Sequence, residues 1–475
     1  MNIILRTFAV LLFSSFVLYS NAKERHAEIS KDKPRIVVLT DIAPGHIEPD
    51  DMESMIRLLV HSDLFEIEAL IATSGWNNSG GDYPGEWMDS LLVCLNAYEK
   101  DLPNLMRRSG QMGFLPLEEE EKSQKIGYWP SSTYLRNRTM RGSQGLGLKR
   151  IGNNNDSEGS DYIIQLLQEK DRRPLWILAW GGANTLAQAI WKMHQQYDDS
   201  QWKEMLEKLC VYTITDQDVG WGERSNHLIS SHYWMRKECG KSLRFIWDES
   251  AWLTQNEIGS KNWAEYAKHI QGHGHLGSIY PKNKWGVEGD TPSFLHVMPT
   301  GLNAPSVFDN AGWGGFFQWG LSADGETSCY TNIAPEVKRI SRKYEEYFYP
   351  AVFNNFAARM DWAKEGKGNR NPIVYINKNG QPDIIYLTAK VGKRKVIDSS
   401  KTYDPDGDAL QYKWWVLPEA GTYKQKVVLE NADTDRVTIT IPTDLGKESI
   451  HLILEVTDTG TPALTSYRRV VITAR

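Results

Sequence analysis

Buried-strand and helix patterns alternate along the first three quarters of the chain. Residues 35–40 (RIVVLT) form an apolar run that is typical of a parallel strand covered on both faces. From residue 50 onward apolar side chains recur at helical spacing, and residues 67–73 (IEALIAT) form a second apolar run. Strand, helix and strand in this order predict a βαβ unit and therefore a parallel sheet.

The same pattern repeats further along the chain. Residues 174–180 (PLWILAW) predict a strand that leads into a helix over about 184–193, and residues 209–215 and 243–247 predict further strands. We therefore predict one α/β domain with a largely parallel sheet over residues 34–362. Ligands of such sheets bind at the carboxyl ends of the strands.

The pattern changes after residues 364–372 (KEGKGNRNP), a polar segment that is typical of a linker. Short alternating strands separated by turn residues are predicted beyond it, at residues 427–429, 437–441, 451–456 and 468–473. We therefore predict a small all-β sandwich of the immunoglobulin type over residues 373–475.

The amino terminus has the three parts of a secretory signal peptide. Arg6 supplies the positive charge, residues 7–19 supply the apolar core, and residues 20–22 supply a cleavage site of small residues. The apolar run is too short to span a bilayer, which takes about 20 residues. We expect cleavage after Ala22 and export to the periplasm or the extracellular space, with no integral membrane segment in the mature chain.

The composition and the net charge limit the kinds of molecule that the protein can bind. The 475 residues are 41% hydrophobic and 24% charged, as expected of a soluble globular protein with more than one domain. A net charge of −6 argues against nucleic acid, because phosphate binding needs a basic face. The 18 tryptophans and 21 tyrosines either fill a large core or stack on sugars, and composition alone leaves both readings open.

Three aspartates are predicted to converge at one edge of the sheet. Asp41 directly follows the first predicted strand, and Asp50 and Asp51 open the next helix. Such close carboxylates raise each other's pKa unless a positive charge lies among them. No Lys or Arg lies between Asp41 and Asp51, and carboxylate oxygens suit a hard cation such as calcium. The pattern favours a metal or catalytic site over a helix cap beside a solvated acidic loop.

Three further segments carry weaker signals. Asp290 precedes a predicted helix start at Thr291, so an ordinary N-cap is the alternative to a functional role. Residues 180–187 (WGGANTLA) place paired glycines after a strand, where a backbone can approach a ligand closely. Residues 404–408 (DPDGD) have calcium-loop spacing but lack the acidic residue that completes an EF-hand loop, so a structural turn and a calcium site both stay open.

In order and context these segments resemble the inosine-uridine nucleoside hydrolase superfamily. The chain is more closely similar to exported nucleoside hydrolase-like proteins labelled cellulose-binding, which join such a domain to a small C-terminal β domain. Asp41 matches the strand-end aspartate of the superfamily motif, Asp50 and Asp51 match its aspartate pair, and Asp290 matches its late metal aspartate. The loop of residues 42–49 is longer than the corresponding loop in nucleoside hydrolases.

The resemblance implies a role for each matched residue. Asp41, Asp51 and Asp290 would bind calcium by their side chains, and Asn184 would bind it by its main-chain carbonyl. Asp41 would also act as the general base toward a water molecule. Asp50 would accept a hydrogen bond from a sugar hydroxyl.

The substrate side of the site is less defined. Trp76 and Asn77 follow the second predicted strand, and we predict that they contact the substrate together with Asn184. The segment that holds Asn184 has its Asn and Thr in exchanged order relative to the superfamily. The acid that protonates the leaving group stays open among Asp216, Asp218, Glu223, His227 and His232.

The resulting hypothesis is a calcium-dependent hydrolase of glycosyl bonds that acts on a furanoside or nucleoside-like substrate from plant or microbial polysaccharide. The alternative is a non-catalytic carbohydrate (cellulose)-binding protein on the same scaffold, and a structural surface protein is a third option. Retention of the four aspartates favours the enzyme, because a pure binder has less use for a base that activates water. The resemblance leaves a homo-oligomer open.

Overall fold

A computed structural model of the protein describes residues 31–78, 82–305, 307–308 and 311–475. The predicted signal peptide, residues 1–22, lies outside the described residues. The described chain contains one large, mostly parallel sheet with helices, followed by two small sheets. This confirms the predicted architecture, an α/β unit with a largely parallel sheet followed by an all-β unit.

The large sheet is built from strands that the apolar runs predict, with three short additions. Its strands are Arg35–Thr40 (β1), Glu66–Ala72 (β2), Thr139–Arg141 (β3), Leu175–Ala179 (β4), Leu209–Ile214 (β5), Arg244–Asp248 (β6), Gln318–Leu321 (β7) and Ser328–Thr331 (β8). They lie in the order β3-β2-β1-β4-β5-β6-β8-β7. All neighbouring strands are parallel except β7 and β8, which are antiparallel.

Helices cover both faces of this sheet. The α-helices of the described residues are Pro49–Leu59 (α1), Asp89–Ser109 (α2), Leu117–Glu120 (α3), Ser132–Asn137 (α4), Glu158–Gln168 (α5), Asn184–Gln196 (α6), Asp199–Lys208 (α7), Ser231–Cys239 (α8), Ala251–Lys261 (α9), Trp263–His269 (α10), Gly274–Ser278 (α11), Thr291–Val297 (α12) and Pro335–Glu365 (α13). Ile36 and Val38 of β1 point into one apolar core, whereas Val37 and Leu39 point into another. None of the described helices is long and apolar enough to cross a membrane.

The register of the central strands brings their carboxyl ends to one edge. Thr40, the last residue of β1, pairs with Ala72, the last residue of β2. Leu39 pairs with Ala179, the last residue of β4. The segments that follow β1, β2 and β4 therefore leave the sheet side by side, and this edge holds the predicted site residues.

The C-terminal region forms two small sheets. Its strands are Ile385–Ala389 (β9), Arg394–Asp398 (β10), Leu410–Val416 (β11), Leu429–Glu430 (β12), Arg436–Thr440 (β13), Ser449–Asp458 (β14) and Thr465–Ala474 (β15). One sheet has the order β10-β13-β12 and the other β11-β14-β15-β9. Neighbouring strands are antiparallel except β9 and β15. The inner faces share one apolar core.

The DPDGD segment forms a hydrogen-bonded turn. Asp404 Oδ1 accepts hydrogen bonds from the main-chain N–H groups of Asp406 at 2.7 Å and Asp408 at 3.1 Å. The Asp406 carboxylate forms ion pairs with Arg108 at 2.6 Å and Arg370 at 2.8 Å. Because two arginines already neutralise Asp406, the contacts favour the structural turn of the two open alternatives.

The C-terminal region packs against the amino ends of the parallel strands. Arg469 of β15 is fully buried and donates hydrogen bonds to the main-chain carbonyls of Leu302 at 2.7 Å and Ala311 at 2.8 Å. A cavity between the two regions is lined by Pro34 and Pro174, which directly precede β1 and β4, and by residues 382–384. The β region therefore lies at the sheet edge opposite the predicted site.

Candidate metal-binding and catalytic site

Three carboxylates lie together at the carboxyl edge of the sheet. One oxygen of each of Asp50, Asp51 and Asp290 lies within 4.8 Å of the others. Asp51 and Asp290 are buried, whereas Asp50 is partly exposed. Helix α1 begins at Pro49 and carries two of these residues in its first turn, and Asp290 directly precedes α12. Residues distant in sequence thus form one acidic cluster, and their roles in metal binding stay predictions.

The carboxylate of Asp41 occupies a narrow space between two backbones. A β-carbon on Gly75 would lie 2.0 Å from Asp41 Oδ2, and a β-carbon on Gly181 would lie 2.7 Å from Asp41 Oδ1. Neither position accepts a side chain while Asp41 stays in place. The need for glycine at Gly181 therefore comes from this carboxylate, and no sequence pattern predicted the same need at Gly75.

Burial and the neighbouring carboxylates raise the pKa of Asp41, Asp51 and Asp290. Burial and the charge of Asp50 raise the pKa of Asp41 to about 7. Burial and the charges of Asp41 and Asp50 raise the pKa of Asp51, and burial and the charges of Asp51 and Asp50 raise the pKa of Asp290. Glu48 belongs to the same cluster, because burial and Asp50 raise its pKa as well. Such a cluster is stabilised by protons or by a bound cation.

Asp290 does not behave as an ordinary helix cap. Helix α12 begins at Thr291 with Pro292 in its first turn, as the sequence predicts. Among the described residues, the Asp290 side chain makes no capping hydrogen bond and its Oδ2 is buried without a hydrogen-bond partner. A buried carboxylate oxygen in this state costs free energy unless a proton or a cation satisfies it. The donor set, all carboxylate oxygen, fits a hard cation such as calcium.

Hydroxyl groups fix the positions of two of the aspartates. The Thr40 hydroxyl donates a hydrogen bond to the Asp51 carboxylate. The Ser293 hydroxyl donates to the main-chain carbonyl of Asp290 at 2.7 Å and accepts from the indole N–H of Trp180 at 2.7 Å. The last residue of β1 thereby holds the Asp51 carboxylate, and the residue after β4 fixes the backbone at Asp290 through Ser293.

A buried ion pair lies behind the cluster. Arg57 of α1 and Glu288 are 2.6 Å apart and almost completely buried. Arg57 also donates to the main-chain carbonyl of Val352 in α13 at 2.6 Å. Glu288 has a φ of 59°, a left-handed conformation that costs energy in a residue other than glycine. This contact joins α1, α13 and the segment that leads to Asp290.

Two of the residues predicted to bind substrate have different hydrogen-bond partners. The side-chain amide of Asn77 donates to the main-chain carbonyl of Asp41, so Asn77 adjoins the acidic cluster. Asn184 begins α6, donates to the carbonyl of Gly147 at 2.9 Å, and faces Asp218 with its main-chain N–H. No hydrogen bond among the described residues joins Asn184 to the cluster. Its roles in metal and substrate binding stay predictions.

Three tryptophans form an aromatic group beside Asp41. The Trp76 ring centroid lies 4.9 Å from that of Trp221 and 6.4 Å from that of Trp252, with interplanar angles of 85° and 67°. They follow β2, β5 and β6, so the same sheet edge brings them together. The sequence predicted only Trp76, because nothing in a single chain segment indicates which distant rings will meet it.

The residues that could protonate the leaving group differ in their exposure to solvent. His232 is fully buried between Asp216 and Asp218, with distances of 3.5 Å and 3.7 Å, and burial lowers its pKa to about 4. Both ring nitrogens of His232 are buried beside these two carboxylates. Glu223 is exposed and His227 is partly exposed, so these two remain within reach of a ligand.

A parallel sheet with aspartates converging at its carboxyl edge defines a nucleoside hydrolase-like α/β protein. The chain belongs to the cellulose-binding Sde182 family: the model described as "Cellulose-binding Sde182, nucleoside hydrolase-like domain" matches residues 35–317. The model described as "Cellulose-binding protein Sde0182, C-terminal domain" matches residues 395–474. The predicted resemblance is confirmed.

Among solved structures, a nucleoside hydrolase-related hypothetical protein from Saccharophagus degradans, described as associated with carbohydrate metabolism, is 32% identical. The match covers 93% of this chain and 100% of that chain, with a TM-score of 0.78. The effector XopQ, complexed with adenosine diphosphate ribose, is 9% identical over 73% of this chain and 98% of its own chain, with a TM-score of 0.31. The comparison with curated proteins finds no match.

Proposed function

We propose that the protein is an exported, calcium-dependent hydrolase of glycosyl bonds that acts on a furanoside or nucleoside-like group from plant or microbial polysaccharide. The observation that carries the proposal is the convergence of Asp50, Asp51 and Asp290 next to the buried Asp41. The fold and the family description support a carbohydrate ligand. The apolar amino-terminal segment supports export.

Each aspartate has a separate part in this proposal. Asp41, Asp51 and Asp290 would hold calcium, which supplies a hard positive charge that orients sugar hydroxyls and water. Asp41 takes a proton from the attacking water. Asp50 is partly exposed and accepts a hydrogen bond from a sugar hydroxyl. The carboxylates also stabilise the positive charge that develops at the anomeric carbon.

Thermal unfolding tests the metal site. Thermal unfolding of the protein without residues 1–22 is followed once in the presence of calcium and once in the presence of a chelator. The variants Asp51→Ala and Asp290→Ala and the exposed control Asp433→Ala are measured in the same way. A ligand bound only by the folded state stabilises it, by about 2.7 kcal/mol at a hundredfold excess over Kd. We expect calcium to raise the melting temperature of the wild type and the control only. An unchanged wild-type melting temperature would contradict the calcium site.

A glycoside screen tests the hydrolase. Aryl furanosides, nucleosides and oligosaccharides are incubated with wild type and with Asp41→Asn, and reducing sugar is measured. We expect release by the wild type and a loss of at least a hundredfold in the variant, since a positioned base typically contributes 10²–10⁴-fold.

The second candidate is a carbohydrate-binding protein without activity, and the printed description "Cellulose-binding" favours it. Equal retention of wild type and Asp41→Asn on cellulose, with no hydrolysis of any glycoside, would select this alternative.

A further inference from the structure

Two exposed tryptophans stand at the rim of the carboxylate site. Trp221 is 51% exposed and Trp285 is 70% exposed, whereas most large apolar side chains of the described residues are buried. Trp221 follows β5, and Trp285 lies in the loop before α12. Each belongs to a loop at the carboxyl edge of the sheet, the edge that also carries the four aspartates.

Trp285 is fixed on the side of the site where Asp50 lies. The Lys284 ammonium lies 4.5 Å from the Trp285 ring centroid and donates at 2.8 Å to the main-chain carbonyl of His46, in the loop between Asp41 and Asp50. The carboxyl end of the loop that carries Trp285 also lies close to Asp50. A β-carbon on Gly289 would lie 2.8 Å from Asp50 Oδ2.

Trp221 is fixed on the side of the site where Asp41 lies. Its ring meets the Trp76 ring nearly at a right angle, and Trp76 precedes Asn77, whose amide binds the main chain of Asp41. The Arg224 guanidinium lies 4.5 Å from the Trp221 ring centroid. The ring is therefore oriented by two neighbours and still half exposed.

Exposed, oriented indole rings beside an acidic site indicate a particular ligand chemistry. The acidic cluster and the net charge of −6 oppose a polyanion such as nucleic acid. A neutral sugar presents hydroxyls to the carboxylates and apolar C–H faces to aromatic rings. Contacts connect Trp221 through Trp76 and Asn77 to Asp41, and they connect Trp285 through Lys284 to the loop before Asp50. Each ring can therefore stack on a sugar that neighbours the one at the aspartates.

We propose that the site takes an oligosaccharide chain, with one sugar at the carboxylates and further sugars stacked on Trp221 and Trp285. The inference rests on the proposed function for the carbohydrate class of the ligand, and it requires no bond cleavage. It deepens that function by making the substrate a chain rather than a free nucleoside.

Calorimetric titration of glucose, cellobiose, cellotetraose and cellohexaose into the calcium-loaded protein tests the inference. The Asp41→Asn background prevents turnover. Trp221→Ala and Trp285→Ala are compared with Trp319→Ala, a matched control that is 41% exposed on β7. Melting temperatures verify folding. We expect affinity to rise at least tenfold from glucose to cellohexaose, and each rim variant to lose at least tenfold for cellohexaose alone.

Affinity that does not depend on chain length, or equal losses in Trp319→Ala, would overturn the inference. The same would follow if no oligosaccharide bound, once xylohexaose and arabinohexaose had been titrated too. If the protein hydrolysed no glycoside, the proposed hydrolase would be refuted. The inference of chain binding would still hold if affinity depended on chain length and on the two tryptophans.

Discussion

Gly75 and Gly181 flank the Asp41 carboxylate, so the position of an acidic group depends on two residues without side chains. We expect Gly75→Ala to destabilise the protein by about 1–3 kcal/mol, because the new methyl group must displace Asp41 or the backbone. The rise in melting temperature that calcium causes should also be smaller in Gly75→Ala than in the wild type. Urea unfolding and thermal scans measure both effects.

Gly113→Ala is the matched control, since no atom of the described residues beyond its chain neighbours lies within 4 Å of its β-carbon position. It should change stability by no more than about 0.5 kcal/mol. If Gly75→Ala behaved like Gly113→Ala, Asp41 would not be confined as the structure indicates.

His296 gives a pH-dependent prediction. It is packed against the rings of Trp176 at 5.4 Å and Tyr212 at 5.5 Å, and burial lowers its pKa to about 3. Unfolded histidine titrates near pH 6.5, so the unfolded chain binds more protons between pH 6.5 and 3, and stability falls as the pH drops through this window. In His296→Phe the loss between pH 7 and pH 5 should be smaller by about 2 kcal/mol.

Urea unfolding at the two pH values measures this difference. His275→Phe, the same substitution at an exposed position, provides the comparison. An unaltered slope in His296→Phe would show that this histidine is not held neutral.

The sequence predicted residues whose role follows from their place on an element. Asp41, Asp50 and Asp51 could be located because a strand end and the next helix start must meet at one sheet edge. Gly75, Trp221 and Trp285 could not, because their roles depend on contacts between segments far apart in the chain. The site roles of the aspartates themselves stay predictions until calcium binding is measured.

Helix α1 is joined to two other segments by the Arg57–Glu288 ion pair, and this pair gives a prediction at the scale of elements. Arg57→Met should cost about 3–5 kcal/mol, because it leaves a buried carboxylate without its partner. The double variant Arg57→Met/Glu288→Gln should recover part of this loss. Chemical denaturation measures both, and a double variant less stable than the single one would contradict the ion-pair account.

The strands that are completely buried could be predicted from the sequence, whereas the short or half-exposed strands could not. Every residue of β1, β2, β4 and β5 is buried, which produces the continuous apolar runs seen in the sequence. β9 alternates half-buried and exposed residues over most of its length, and β3 has three residues, so neither gives a distinct apolar run. Tertiary pairing rather than local pattern defines these strands.

Arg469 connects the two regions of the molecule and gives the prediction at the largest scale. Arg469→Ala leaves the buried carbonyls of Leu302 and Ala311 without a donor, at about 1–3 kcal/mol each. We expect calorimetry to show two separate unfolding transitions where the wild type shows one. Arg436→Ala, whose side chain is 60% exposed on β13, should keep a single transition. A single transition in Arg469→Ala would show that other contacts suffice to couple the regions.

The β region meets the amino edge of the large sheet, and the aspartates lie at the carboxyl edge. Attachment of the protein to a solid support through its β region would therefore leave the aspartates facing away from that support. Insoluble fibres could then reach the open edge without displacing the attached half of the molecule. An immobilised form of the protein should retain its affinity for soluble and particulate ligands alike.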